Sequence, residues 1–174
     1  MGGSTAARDL KTTGIGRNVA DIRKRIARAA ENAGRSPSEI TLVAVTKTVD
    51  APAIQEAFAA GLRHFGESRI QEAREKLPQL SALQPAPTWH MVGHLQTNKA
   101  RIAAEIFDVI HSVDSLRVAE AISQHSTCDK PVLVQVNVAG ESSKYGFALQ
   151  DTIAALEHRA HLFRIVGVRG DGHQ

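Results

Sequence analysis

Six short β-rich runs alternate with five helical patterns along this chain, and that alternation constrains the fold more than any other feature. The runs cover residues 40–47, 63–67, 88–93, 108–112, 131–138 and 163–168; the helical segments between them cover 51–62, 68–77, 97–106, 115–123 and 149–160. Strand, crossover helix and strand make the repeating unit of a parallel α/β sheet. Two architectures use that unit, a doubly wound open sheet and a (β/α)8 barrel. The open sheet normally carries a glycine-rich first turn for phosphate. Here the first turn reads Thr46-Lys47-Thr48-Val49, without glycine, so the barrel is favoured. A complete barrel has eight strands and about 250 residues, whereas this chain has 174. The expectation is an α/β fold, a (β/α)8 TIM barrel that is incomplete, with about six of its eight strands.

Ahead of the first strand, Ile15, Val19, Ile22, Ile26, Ala29 and Ala33 recur at helical spacing, and Gly34 with Ser36-Pro37 closes that helix. Asp50 is placed to cap the next helix, with Pro52 in its first turn. Residues 1–14, rich in Gly, Ser, Thr and Ala, read as a flexible lead without the apolar core of a signal peptide. No stretch has the length of a membrane span. Lys and Arg number 21 against 18 Asp and Glu, too small an excess to imply nucleic acid. One Trp, one Tyr and five Phe also leave little for base stacking. The single cysteine, Cys128, excludes an internal disulfide and fits a reducing, cytoplasmic setting.

Chemistry gathers where the strands end. Lys47 closes the first run, and polar groups recur at the later ends: Glu67, His90, His94, His111 with Asp114, and Asn137. In a barrel these converge on the C-terminal rim, where barrel enzymes keep their sites. A lysine there, desolvated, is suited to form a Schiff base with an aldehyde. Thr41, Val43 and Val45 would share its face as an apolar floor. His90 and His94 stand four apart, but no Glu follows His90 and no third ligand is evident, so a metal site is not expected. Neither Asn98-Lys99 nor Ser142-Ser143-Lys144 has the spacing of a P-loop.

Four ordered segments carry a resemblance: Ala44-Val45-Thr46-Lys47-Thr48, Phe65-Gly66-Glu67, Trp89-His90-Met91-Val92-Gly93-His94-Leu95-Gln96-Thr97-Asn98-Lys99, and Val136-Asn137 through Glu141-Ser142-Ser143-Lys144-Tyr145-Gly146. Together they resemble the pyridoxal-phosphate homeostasis proteins. The resemblance implies a barrel of the alanine racemase N-terminal type over residues 15–174, with pyridoxal 5'-phosphate (PLP) held as a Schiff base on Lys47. It implies no catalytic residues and a role in intracellular PLP homeostasis, with PLP-dependent enzymes as possible clients and a monomer or weak dimer as the state. Ser68, His90 and Asn137 are the further cofactor-binding residues it implies. Ser68 stands where the family usually has asparagine, while Glu67, His111 and Asn137 read equally well as structural caps. A PLP-dependent racemase or lyase on the same barrel, or a remnant without a competent site, are the alternatives. After Gly167 the chain reads Val168-Arg169-Gly170-Asp171-Gly172-His173-Gln174, where the family continues through about two more βα units bearing its phosphate loop. The expectation is therefore a C-terminally truncated form, with a frameshift after Gly167 as its origin.

Overall fold

The computed structural model describes residues 14–126, 129–141, 144–159 and 164–170; residues 1–13 of the expected lead and Cys128 lie outside them, and Gly14 is helical rather than part of a flexible lead. Helix α1 (Gly14–Asn32) ends at Gly34, whose φ of 66° suits glycine. Ser36 then opens a single 3-10 turn, Pro37–Glu39, through a capping box with Glu39. Strand β1 (Val43–Val45) leads to α2 (Ala51–Ala59), where the Asp50 side chain accepts from Ala53 N as its sequence position predicts. The alternation continues through β2 (His64–Glu67), α3 (Ile70–Lys76), β3 (Thr88–Met91), α4 (Ala100–Ile106) and β4 (Val109–Val113). It is completed by α5 (Leu116–His125), β5 (Pro131–Asn137), β6 (Phe147–Ala148), α6 (Leu149–Arg159) and β7 (Arg164–Gly170).

The strands pair in parallel in the order β1-β2-β3-β4-β5, with both β6 and β7 on β5. Each new long strand is added to the same growing edge. Because βαβ crossovers are right-handed, a strand order that never reverses sends every helix to one face of the sheet. A doubly wound sheet needs a reversal, so the topology selects the barrel type. Among the described residues β1 pairs only with β2 and β7 only with β5, and the barrel is open.

The core lies between the sheet and its helices. Phe65, Trp89, Met91, Ile110 and Val132 project from the strands onto Ile54, Phe58, Ala73, Ala103, Phe107 and Ile122. Each fully buried large side chain there contributes about 1.5–3 kcal/mol. Phe65 and Trp89 sit on adjacent strands with ring centroids 5.5 Å apart.

Three expectations shift. The first strand is shorter than 40–47, because Ile40 caps the 3-10 turn and Thr46–Val49 form a turn of their own. A seventh strand, the two-residue β6, lies alongside the end of β5. The apolar stripe of α1 is only partly used: Val19 is buried, yet Ile22 is 42% exposed.

Candidate functional site

Strand alternation gives the sheet two unlike faces. Thr46, Phe65, Trp89 and Ile110 point to the helices and are buried. The intervening positions, Val45, His64, His90 and His111, point to the other face. Lys47 follows, exposed, just past the end of β1. Its backbone is not in the strand as expected but in the turn beyond it. Thr46 N still donates to Gly66 O (2.8 Å), and Val49 N closes the turn on Thr46 O (3.0 Å). Of the expected apolar floor, Val43 and Val45 share one face of β1, but Thr41 lies outside the strand and Val45 is 52% exposed, so no buried floor forms.

Three adjacent strands each contribute one histidine to this face. His64 Nδ1 lies 3.0 Å from His90 Nε2, and His90 Nδ1 lies 2.8 Å from His111 Nε2. Both nitrogens of His90 are engaged, so in the neutral row its tautomer is set by the direction in which its neighbours donate. Burial pushes the His90 pKa down to about 4, with the charges of His111 and His64 acting in the same direction. Burial also lowers that of His111, aided by the Arg169 guanidinium. Arg169 reaches across from β7 to donate to Val92 O (2.7 Å) at the end of β3. His90 and His111 are the strand-end histidines expected from the sequence; His64, at the start of β2 on the same alternating face, is signalled there only by its parity.

His94 does not join His90. Its Nδ1 lies 3.1 Å from Asp114 Oδ2, and its ring stacks on Tyr145 at 3.7 Å and 16°. The Asp114 carboxylate also accepts from Ser115 Oγ (3.1 Å). This set ties the loop after β3 to the loops after β4 and β5.

Ser68 sits at the lip of a cleft of about 350 Å³ with Arg69, Met91, His94 and Lys99. Its carbonyl lies against Gly93 so closely that a Cβ on Gly93 would stand 2.2 Å from Ser68 O. Only glycine fits there, and the loops after β2 and β3 are in backbone contact. Asn137 is turned to its own loop: its amide donates to Glu141 O (2.8 Å) and its carbonyl accepts from Gly140 N (3.0 Å).

Glu67 faces the helices rather than the uncovered face, and it is fully buried. Its Oε1 accepts from Lys76 Nζ (2.8 Å) and Thr46 Oγ1 (2.7 Å). Lys76 Nζ donates in addition to Glu72 Oε1 (2.9 Å) and Thr46 O (2.9 Å). Burial alone would lower the Lys76 pKa, but hydrogen bonds and charge from Glu67 and Glu72 outweigh it and hold the ammonium above its ordinary value. The Lys76 hydrogen bond in turn holds Glu72 below the usual carboxylate range. Of the two readings open for Glu67, the geometry selects the structural one.

The sequence pattern of the family described as alanine racemase, N-terminal domain, matches residues 18–170. A pyridoxal phosphate homeostasis protein of Pseudomonas aeruginosa is 45% identical over 146 residues, covering 82% of this chain and 63% of that protein. The protein of the same name in Escherichia coli K12 is 41% identical over 160 residues, covering 88% of this chain and 68% of its own length. PipY of Synechococcus elongatus, solved with PLP bound, matches with a TM-score of 0.69 at 37% identity, over 86% of this chain and 72% of its own. The chain thus spans 63% and 68% of the lengths of these two curated relatives. No helix among the described residues is long and apolar enough to cross a membrane. The chain belongs to the alanine racemase N-terminal domain family, in its pyridoxal phosphate homeostasis branch.

Proposed function

We propose that this chain binds PLP in intracellular PLP homeostasis, holding it as a Schiff base on Lys47. The observation that carries the reading is the place of that amine. Lys47 is exposed just past the C-terminal end of β1, the end of the strands where barrel sites lie. The donor set suits the cofactor. Titratable groups on the sheet face away from the helices include His64, His90, His111 and Arg169, while Glu67 and Glu72, which bond the residues on either side of Lys47, are paired with Lys76. Imidazoles and a guanidinium, together with an exposed amine, favour an anionic aldehyde. Relatives named for PLP homeostasis, and PipY with PLP bound, support the same assignment.

Bound PLP supplies an aldehyde that a lysine amine captures reversibly with loss of water. The residues of this chain then divide the work. Lys47 provides the amine, Ser68 a hydroxyl at the adjoining cleft, and His90 a neutral imidazole whose position its two neighbours fix. Asn137 acts by shaping the loop after β5, since its amide is spent on that loop. The racemase-type fold does not by itself assign a racemase reaction. Holding PLP without turnover is the reading that the relatives' names favour, with PLP-dependent enzymes as the clients that would receive it.

Incubation with PLP, reduction by borohydride and peptide mapping test the proposal. The label is expected on the peptide containing Lys47 and absent in Lys47→Ala. Labelling that persists undiminished in that variant would refute the assignment.

A further inference from the structure

The residue after Lys47 is held in an unusual backbone conformation. Thr48 has a φ of 62°, in the left-handed region where a β-branched residue is a genuine outlier. Such a conformation is energetically costly and persists only where its surroundings over-determine it. Here they do. Thr48 N donates to Glu72 Oε1 (2.5 Å), and Thr48 Oγ1 turns back onto Lys47 O (2.6 Å). On the other side of Lys47, the Thr46 carbonyl accepts from Lys76 Nζ (2.9 Å) and the Thr46 hydroxyl donates to Glu67 Oε1 (2.7 Å). One buried ammonium therefore links both flanks of Lys47, because Lys76 also bonds the two carboxylates that grip Thr46 and Thr48.

We infer that Glu72, Lys76 and Glu67 form a clamp that holds the Thr46–Thr48 turn with Thr48 left-handed, and so aims the Lys47 amine at its ligand; they are positioning residues for the PLP site. This inference rests on the function proposed above. The clamp works from behind the sheet. It fixes the peptides on either side of Lys47 from the helix side of the sheet, while Lys47 itself is exposed. Fixing the backbone under a reactive amine reduces the conformations it must search before meeting an aldehyde. The sequence carries the clamp in compact form: Glu72 and Lys76 are one helical turn apart on α3, the favourable Glu-before-Lys order, and Glu67 ends the strand before it.

Glu72 is the position to vary, because its side chain is 24% exposed whereas removing Lys76 would strand Glu67 as an unpaired buried carboxylate. Three variants are compared with wild type: Glu72→Ala, Glu72→Gln and the double variant Glu72→Ala with Thr48→Gly. Two quantities are read on each. One is the rate at which PLP and borohydride label the Lys47 peptide. The other is amide hydrogen exchange at Val49, whose N–H closes the turn, in protein without PLP. Glu72→Ala is expected to slow Lys47 labelling about tenfold and to speed Val49 exchange by a similar factor, in line with release of the strained conformation. Glu72→Gln keeps the acceptor oxygen and should stay within about threefold of wild type. The double variant should recover most of both losses, because glycine adopts a positive φ without the steric penalty. A merely structural role for Glu72 would not be rescued by glycine at position 48. Unchanged labelling and exchange in Glu72→Ala, or no recovery in the double variant, overturns the clamp. If wild type is labelled at another lysine, the PLP assignment falls instead, and Val49 exchange alone decides whether the turn is clamped.

Discussion

The two faces of this sheet are built on opposite principles. Toward the helices, Phe65, Ile110 and Val132 are fully buried, and the charged cluster of Glu67 with Lys76 and Glu72 is bonded through one oxygen of each carboxylate, leaving Glu67 Oε2 buried without a partner. Toward the open side, Val45 is 52% exposed, and the row of His64, His90 and His111 runs across the neighbouring strands. One face supplies the stability and the other presents the chemistry. The lesson is that residues on the same strand, one position apart, answer to different physics. Thr46 is locked into a buried network while Lys47 beside it stands exposed.

Substitutions on the two faces should separate accordingly. Lys76→Met leaves Glu67 buried with Thr46 as its remaining donor, and breaking a buried pair from one side costs about 3–5 kcal/mol. Its urea midpoint should therefore fall furthest of all. Ile110→Ala, in the helix-side core, should lose about 2–5 kcal/mol in the same assay. A milder loss in Lys76→Met than in any exposed-valine variant would break the comparison.

Acidification probes the open face. His90 and His111 have folded pKa values below the ordinary 6.5, so between that value and about 4 the unfolded chain binds more protons than the folded one. Stability is complete above the ordinary histidine value and falls as the pH drops through this window, by about 1.4 kcal/mol per pH unit for each group that charges only on unfolding. Glu72, lowered from 4.5, withdraws its contribution only further down, which leaves the upper part of the window to the histidines. Unfolding midpoints at pH 7, 6 and 5 should decline in wild type and decline less in His90→Gln. The facing groups that set this response are His64, His111 and Arg169. Smallest of all, Val45→Ala on the open face should shift stability by no more than about 0.5 kcal/mol.

Much of the architecture was legible before any coordinates. Periodicity gave every long strand and crossover, and Asp50 announced its helix, because these follow from local burial patterns and capping chemistry. The end of β1 was misjudged because Thr46, Lys47 and Thr48 continue the β-like composition, whereas a positive φ at Thr48 is imposed from outside by Glu72 and Lys76. The partnership of Glu67 with Lys76 spans two elements and leaves no local trace beyond the helical spacing of Glu72 and Lys76. His64 escaped notice because a histidine that opens a strand is unremarkable until the register sets Gly66 beside His90, two residues on. Lys47 itself was found by its place at the strand's mouth together with the resemblance, and composition alone would have left it a surface lysine.

The central claim concerns one amine, and absorption spectroscopy meets it most directly. Titrating purified protein with PLP should produce the visible band of a protonated Schiff base in wild type, saturating at one equivalent, and no such band in Lys47→Ala at the same concentrations. A band of equal height in both proteins, or none in either, would contradict the account.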